Sequence, residues 1–281
     1  MDEKALGKSL QAARKKAGLT QQELCHQVGL SYSTLAKIER GAIRSPSVFT
    51  VAAIAQATHS SIEDLLGVKA AAPPATSPKK TSHTGIRFVY FDIDGVLVSD
   101  WHQTFAEAAE ATGLATDVIE NAYWRHNDAA CRGGMSPEQF NAAMAKDLNL
   151  KSFDWLKYYL RSAKVQKPAQ ELMHWAAEHY EVGLLHNHMA GVYTALLERG
   201  LIPKLDYQTV IDSSEVGCVK PEAKIYEIAT KKAGVKPAEI LLIDDVRPNL
   251  TAADHAGWQI LWFDSLDPAA SVDRVKKALE F

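Results

Sequence analysis

Long apolar runs are missing from this sequence of 281 residues. No window approaches the roughly 18 consecutive apolar residues that a membrane-spanning helix needs. The first residues, MDEKALGKSLQAARKKAG, carry charges without the apolar stretch that a secretory signal places behind them. These absences argue against membrane and secreted proteins, and we expect a cytoplasmic protein that has no membrane partner.

Cysteine is scarce as well. The chain has three cysteines, Cys25, Cys131 and Cys218, at wide spacing and with no CxxC pair. An odd number without paired spacing argues against a disulfide framework, a zinc site or a redox motif. We expect small, largely buried cysteines in a reducing compartment.

Charge is distributed unevenly, although the formal net charge is only -3. Residues 1–70 carry nine basic and six acidic side chains, whereas residues 86–281 have a net charge of -8. Because charge of one sign concentrates ligands of the other, the basic N-terminal part and the acidic remainder are expected to have different partners.

A segment without large apolar side chains divides the chain. Residues 70–85 read AAAPPATSPKKTSHTG, which is rich in proline and small polar residues and cannot bury enough apolar surface to fold. We therefore expect two domains, residues 1–69 and residues 86–281, joined by a flexible linker.

Capping residues divide the N-terminal domain into short helices. Thr20 and Glu23 have the spacing of a capping box at the start of a helix that Gly29 is suited to end. Ser31 can cap a second helix, which stops at Gly41. Two more helices are expected at Ser47–Thr58 and Ser61–Leu66.

A helix, a tight turn and a second helix have the order of a helix-turn-helix, in which the second helix enters the major groove of DNA. The outward side chains of that second helix are expected to reach bases or phosphates: Tyr32, Ser33, Thr34 and Lys37. Gln21 or Gln22, at the start of the preceding helix, is placed to hold a DNA phosphate.

The segment GLTQQELCHQVGLSYSTLAKIERG resembles the lambda repressor/Cro-like (Xre) family, and the resemblance covers about residues 6–67. It implies DNA as a partner, usually bound by dimers at paired half-sites, so we expect a homodimer. A helix-turn-helix that contacts only another protein is the alternative.

The rest of the chain alternates strand-like and helical stretches. The strand-like runs are Arg87–Asp92, Val182–Leu185, Thr209–Ile211, Ile240–Ile243 and Gln259–Phe263. This order predicts an α/β domain with a mostly parallel sheet and helices on both faces. Residues from about 101 to 180 have helical periods without a strand signal, which predicts an all-helical insertion.

Carboxylates follow two of the expected strands. Asp92 and Asp94 lie in FVYFDIDGVLV, and Asp244 and Asp245 lie in LLIDDVRPNL. Ligands of open α/β sheets bind at the carboxyl ends of the strands, where these side chains are expected to meet. Lys220, before a proline at a helix start, could reach a carboxylate or a phosphate there. The cluster suits Mg²⁺, which prefers oxygen ligands and substrate phosphate; solvated loop aspartates are the alternative.

These three ordered motifs resemble the haloacid dehalogenase superfamily of phosphohydrolases, over about residues 86–281. The resemblance implies a Rossmann-like parallel sheet with a helical cap, at about residues 101–180, and Mg²⁺ as the cofactor. It also implies a small phosphorylated substrate.

The resemblance assigns roles to the clustered residues. Asp92 would be the nucleophile that becomes an aspartyl phosphate, and Asp94 would serve as general acid and then general base. Mg²⁺ would be held by Asp92, the main-chain carbonyl of Asp94 and Asp245, with Asp244 close by or acting through water. Lys220 would neutralise the nucleophile and the phosphoryl oxygens. Asp94 argues against haloacid dehalogenation, because that branch of the family lacks this aspartate.

One motif departs from the family pattern. In GLLHNHM, His186 stands where the family usually has Ser or Thr, and Asn187 follows it. We expect His186 and Asn187 to contact the phosphate, since an imidazole can also donate a hydrogen bond. The alternative is that His186 packs or caps without a phosphate role.

The helical insertion stands where the family has a C1-type cap, which closes over the site and selects the substrate. Within it, CRGGMSPEQF resembles a turn of the glucose-1-phosphatase and epoxide-hydrolase N-terminal branch. Candidates for lining the pocket are Trp101, His102, Trp124, Arg125, His126 and Arg132. Aromatic residues at helical spacing are more often core, which also applies to Trp155, Tyr158 and Tyr159.

The sequence therefore predicts a Mg²⁺-dependent phosphatase fused to a sequence-specific DNA-binding domain, acting near DNA or regulating a promoter. One alternative is a transcription regulator whose phosphatase-like body is a weak or inactive enzyme that serves as a ligand sensor or dimerisation module. Another is a phosphatase whose N-terminal domain recruits a protein. Retention of all five charged residues of the cluster favours catalysis, because a sensor would not need them all.

Overall fold

The computed structural model of the protein describes residues 3–43, 45–58, 60, 65 and 79–280. The chain divides into two compact units, Met1–Thr76 and Ser77–Phe281, which we call the head and the body. Most of the expected linker, residues 70–78, lies outside the described residues. So does the expected helix Ser61–Leu66, apart from the buried Leu65.

Hydroxyl side chains begin the head helices. The Thr20 side chain accepts the N–H of Glu23 at 3.2 Å, and the Glu23 carboxylate accepts the N–H of Thr20 at 2.7 Å, which completes the expected capping box. Ser31 caps the next helix through the N–H of Thr34, and Gly29 turns the chain between them at φ 67°. The helices are α1 (Glu3–Lys16), α2 (Gln21–Val28), α3 (Tyr32–Glu39) and α4 (Val48–Ala57). The expected helix-turn-helix is confirmed.

A buried ion pair joins α1 to α3. Arg14 Nε and Nη2 lie 2.6 and 3.0 Å from the two carboxylate oxygens of Glu39, so the contact is bidentate. Burial alone would raise the pKa of Glu39, but hydrogen bonds from Arg14 and Gln21 hold it below its usual value. Removing either member would leave the other charge buried, so the pair holds α3 in place. The surrounding core includes Leu10, Leu24, Leu35, Ile38 and Ile54.

The body is built on a five-stranded parallel sheet. Its strands are β1 (Phe88–Phe91), β4 (Glu181–His186), β5 (Thr209–Asp212), β6 (Ile240–Asp244) and β7 (Gln259–Trp262). They lie side by side in the order β5-β4-β1-β6-β7. Strand β1 lies at the centre, and alternation sends Val89 and Phe91 into the core on one face and Phe88 and Tyr90 into the core on the other. The expected α/β fold with helices on both faces is confirmed.

The helices of the body fall into two groups. Between β2 (Val98–Ser99) and β3 (Lys164–Val165), which pair as an antiparallel ribbon, lie four helices that we call the cap. These are α5 (Gln103–Thr112), α6 (Thr116–Cys131), α7 (Pro137–Asp147) and α8 (Trp155–Ser162). The others are α9 (Lys167–His179), α10 (Val192–Glu198), α11 (Ser213–Val216), α12 (Ala223–Ala233), α13 (Arg247–His255) and α14 (Pro268–Ala278), with a 3-10 turn at Pro237–Glu239. No helix among the described residues could span a membrane.

The cap is shorter than the expected insertion of about residues 101–180. Helix α9 contacts strand β4 and helix α14, because Ala169, Leu172, Met173 and Ala176 form a fully buried stripe at helical spacing that faces the sheet. A helical period in the sequence does not distinguish a helix that covers the sheet from a cap helix.

The body begins before residue 86, the first residue expected after the linker. The N–H of Lys80 donates to the carbonyl of His179 at 2.7 Å, and the N–H of His83 donates to the carbonyl of Glu280 at 2.9 Å. Residues 79–85 therefore run along the ends of α9 and α14, where main-chain hydrogen bonds hold a segment that has few apolar side chains.

Candidate functional site

The ends of β1 and β6 bring three carboxylates together. Asp92 follows β1, and its N–H donates to the carbonyl of Ile243 at 3.0 Å, which extends the pairing with β6 to the edge of the sheet. Asp244 ends β6 and Asp245 follows it. Oxygen atoms of Asp92, Asp244 and Asp245 all lie within 4.8 Å of one another. Such crowding of negative charge requires compensation.

Lys220 supplies part of that compensation. Its Nζ lies 2.6 Å from Asp244 Oδ2 and 2.9 Å from Asp92 Oδ2, and the side chain is buried. Burial alone would lower the pKa of Lys220, but Asp244 and Asp92 raise it above its usual value, so the ammonium stays charged. Asn187 holds the main chain of the same residue, since its side chain donates to the Lys220 carbonyl and accepts the Lys220 N–H, each at 2.9 Å.

The Asp244 carboxylate holds the Lys220 side chain and the start of the loop after β6 in place. Its carboxylate accepts hydrogen bonds from the Asn249 side chain and from the N–H of Val246 at 2.8 Å, in addition to the contact with Lys220. Each Asp244 oxygen therefore has two donors within hydrogen-bond distance, whereas each Asp92 oxygen has one and Asp245 Oδ1 has none among the described residues, so Asp92 and Asp245 keep lone pairs for a cation.

Asp245 has the features of a ligand. Its Oδ1 is buried and has no hydrogen-bond partner among the described residues. Burial, followed by the neighbouring charge of Asp244, raises the pKa of Asp245 to about 7. Gly95, at φ 80°, lies so close that a Cβ built on it would be 1.9 Å from Asp245 Oδ2. An unpaired buried carboxylate oxygen beside Asp92 fits a hard divalent cation such as Mg²⁺.

Asp94 is held on both oxygens. His188 Nε2 lies 2.9 Å from Asp94 Oδ2, and the Tyr159 hydroxyl donates to Asp94 Oδ1 at 2.5 Å. Burial and the charge of Asp94 raise the pKa of Tyr159 well above its usual value, so the phenol keeps its proton and donates. The helical period of the sequence predicts a core position for Tyr159, but it does not indicate that the Tyr159 hydroxyl reaches an aspartate after a distant strand.

His186 does not lie where the expected phosphate contact requires. It is 0% exposed, stacks on Tyr193 at 5.6 Å between ring centroids, and is not among the residues that line the cavity above the carboxylates. Neither ring nitrogen has a partner among the described residues, and burial lowers its pKa well below the usual value. Asn187 does line the cavity, but its amide is taken up by the main chain of Lys220.

The cap residues divide between the cavity and the surface. Trp101, His102 and Trp124 line the cavity, as do the core residues Trp155 and Tyr159. The other three candidates contact acidic side chains and do not line the cavity: Arg125 forms an ion pair with Asp147, His126 Nε2 lies 3.1 Å from the same carboxylate, and Arg132 pairs with Asp128 and Glu222. Tyr158 belongs to the cap core.

The outer face of α3 in the head is open. Tyr32 is 55% exposed, Ser33 and Lys37 are exposed, and Thr34 is half-buried beside the Ser31 hydroxyl. The two glutamines at the start of α2, either of which was expected near a phosphate, differ from each other. Gln22 is exposed, whereas the Gln21 amide donates to Glu39 at 2.8 Å and so supports the buried ion pair.

Two family models match the chain. A helix-turn-helix model matches residues 10–65, and a haloacid dehalogenase-like hydrolase model matches residues 86–257. A Mycobacterium tuberculosis protein named as a phosphatase is 28% identical over 191 residues, which cover 64% of this chain and 88% of that protein.

Solved structures show the same body fold. A HAD family enzyme of Bacteroides thetaiotaomicron, crystallised as a magnesium complex, has a TM-score of 0.56 at 19% identity and covers 67% of this chain and 98% of its own. A predicted HAD-like family hydrolase of Porphyromonas gingivalis has a TM-score of 0.55 at 20% identity. The match covers 68% of this chain and 98% of that protein. At these identities the likeness concerns the fold.

The buried His186 generates a prediction about stability. Because its pKa is lowered in the folded body, the unfolded chain binds the proton first as the pH falls below about 6.5, and the free energy of unfolding decreases by up to about 1.4 kcal/mol per pH unit. The variant His186→Gln has no imidazole to protonate at this position. Its free energy of unfolding should therefore decrease less steeply than that of the wild type between pH 6.5 and 5.5.

Urea unfolding followed by tryptophan fluorescence measures this slope, because all six tryptophans lie in the body. His174→Gln, which removes an exposed imidazole from α9, is the matched control. Parallel curves for the wild type and His186→Gln would show that the folded body does not hold His186 neutral.

Proposed function

This chain belongs to the haloacid dehalogenase-like hydrolases, and from that premise we propose that it is a Mg²⁺-dependent phosphatase of a small phosphorylated metabolite. The observation that carries the proposal is the placement of Asp92 and Asp94 in the wall of one cavity, with Lys220 paired to Asp92. The phosphatase name of the Mycobacterium tuberculosis relative supports it.

Asp92 is the proposed nucleophile. Its Oδ1 accepts the N–H of Ile93 at 2.8 Å and its Oδ2 contacts Lys220, so the carboxylate has a fixed orientation. One oxygen attacks phosphorus, the bond from phosphorus to the leaving alcohol breaks, and an aspartyl phosphate forms. Lys220 balances charge on the nucleophile and on the phosphoryl oxygens.

Asp94 is the proposed proton carrier. It gives a proton to the departing alcohol oxygen and then takes one from the water that attacks the aspartyl phosphate, which releases phosphate and restores Asp92. Tyr159 and His188 fix the plane of the Asp94 carboxylate and so position this proton.

Asp92, Asp245 and the main-chain carbonyl of Asp94 would hold Mg²⁺, with Asp244 positioning Lys220 beside them. When bound, the cation supplies positive charge to the phosphoryl oxygens and to the surplus carboxylates.

The head is proposed to bind DNA as a dimer through Tyr32, Ser33, Thr34 and Lys37, with Gln22 near a phosphate. The open outer face of α3 and the helix-turn-helix match support this role. We further propose that residues 1–69 and 86–281 act as separate domains, which would bring the phosphatase to particular DNA sites or make it part of a regulator.

A second candidate function is favoured by His186. A buried imidazole that has no hydrogen-bond partner in the described part of the chain, at a phosphate-binding motif, supports a body of low activity that senses a ligand for the head. A wild type that is inert, and that gains activity on His186→Ser, would favour this sensor.

Asp92→Asn tests the phosphatase. We expect wild-type hydrolysis of 4-nitrophenyl phosphate that requires Mg²⁺ and stops with chelator, and a loss of at least about a thousandfold in kcat for Asp92→Asn, since the amide cannot act as the nucleophile. Phosphate release measures both. Asp273→Asn, an exposed change on α14, is the control. Wild-type turnover in Asp92→Asn would refute the aspartyl-phosphate mechanism.

Gly95→Ala tests the cation site. The new methyl group collides with the Asp245 carboxylate, so the Mg²⁺ concentration for half-maximal activity should rise about tenfold or more, and Mg²⁺ should raise the melting temperature less than in the wild type. The matched control is Gly85→Ala, which has a similar φ of 87° and nothing within 4 Å of its built Cβ. Equal Mg²⁺ responses in the two variants would place the cation away from Asp245.

Lys37→Ala tests the head. We expect the full chain to select a site from random duplexes, with binding that weakens steeply as salt rises. Lys37→Ala should weaken binding and reduce the salt slope by about one, because one phosphate contact is lost. Lys8→Ala, an exposed change on α1, is the control. Failure to select any site would indicate that the head recruits a protein.

A further inference from the structure

The cavity above the carboxylates has a strongly aromatic cap wall. Its volume is about 380 Å³, which is near the lower end of the range for small-molecule sites. Aromatic side chains from the cap dominate the wall that faces the catalytic residues: Trp101, Tyr123, Trp124, Trp155 and Tyr159. This space accommodates a phosphate with one compact ring system attached.

Two of these rings are open to a ligand. Tyr123, Trp155 and Tyr159 are buried in the core of the cap, whereas Trp101 is only partly buried and Trp124 is 52% exposed. The Trp124 indole N–H donates to Glu120 one turn earlier at 3.2 Å, which orients the ring. An exposed indole of fixed orientation in the wall of a cavity provides a stacking surface.

Fixed positive charge is scarce in the lining of the cavity. Among the lining residues, all of which the structure describes, Lys220 is the single lysine or arginine, and Asp92 and Asp244 already engage it. The nearby Arg125 and Arg132 form their ion pairs outside the cavity. A substrate with a second phosphate or a carboxylate would have to desolvate that anion without a counter-charge, which is costly.

On the basis of the proposed phosphatase activity, we propose that the substrate is a phosphate monoester whose alcohol carries an uncharged aromatic ring and no second anionic group. The phosphate lies at Asp92, and the ring stacks against Trp124 and Trp101. Stacking on a ring face, a lining whose single lysine is already paired, and limited volume are three separate features that favour this class.

Primary-alcohol phosphates of similar size test the proposal in the full-length protein with Mg²⁺. Benzyl phosphate should exceed cyclohexylmethyl phosphate in kcat/KM by about tenfold, because only the flat ring stacks. A 4-carboxybenzyl phosphate should be hydrolysed less efficiently than benzyl phosphate. Trp124→Leu should bring the benzyl to cyclohexylmethyl ratio close to one, and Trp124→Phe should retain most of it. The ratio is insensitive to a general loss of folded protein.

The outcomes separate this inference from the phosphatase proposal. Hydrolysis of both esters at equal kcat/KM, or a ratio that survives Trp124→Leu, overturns the aromatic substrate while the phosphatase stands. A preference for phosphocholine over benzyl phosphate also overturns it, because the aromatic wall would then bind a cation. If no ester is hydrolysed, the phosphatase proposal fails and this inference fails with it.

Discussion

The ammonium of Lys220 between Asp92 and Asp244 is the contact on which the active edge of the body depends. Asp92 follows the central strand β1, Asp244 ends its neighbour β6, and Asn187, after β4, holds the Lys220 main chain. Without the ammonium, two buried carboxylates at adjacent strand ends would repel each other. The side chain of Lys220 therefore joins two strand ends and its main chain is held by a third, while the carboxylate of Asp245, whose Oδ1 has no hydrogen-bond partner among the described residues, makes the same place attractive to a cation.

The cap takes part in the site through residues that also build its core. Tyr159 packs among the buried aromatic rings of the cap, yet its hydroxyl reaches Asp94 on the body. Trp124 lies on the same helix as the buried Tyr123, but faces the cavity. Because an aromatic side chain has an apolar ring and, in tyrosine and tryptophan, a polar tip, one layer of rings serves both packing and recognition.

The head follows a different physical logic. Its core is small, so capping residues and the buried pair of Arg14 with Glu39 contribute much of what determines the position of α3. The same requirement draws Gln21 away from the role that its sequence position indicated, because its amide completes the hydrogen bonding of Glu39. Tyr32, Ser33 and Lys37 remain outside this network and free of its packing demands.

The sequence by itself determined the architecture of both units, because capping boxes, short apolar strand runs and glycine turns are local signals. It also indicated the convergence of Asp92, Asp244 and Asp245, since parallel strands present their carboxyl ends at one edge. Tertiary structure alone decided the partners of individual side chains: the His186 ring against the His188 ring, the Tyr159 hydroxyl on Asp94, and Arg125 and Arg132 in ion pairs outside the lining of the cavity. The periodicity of a helix or strand indicates which of its faces is buried. Which residues of other elements contact that face depends on how the elements pack, and local sequence does not encode this packing.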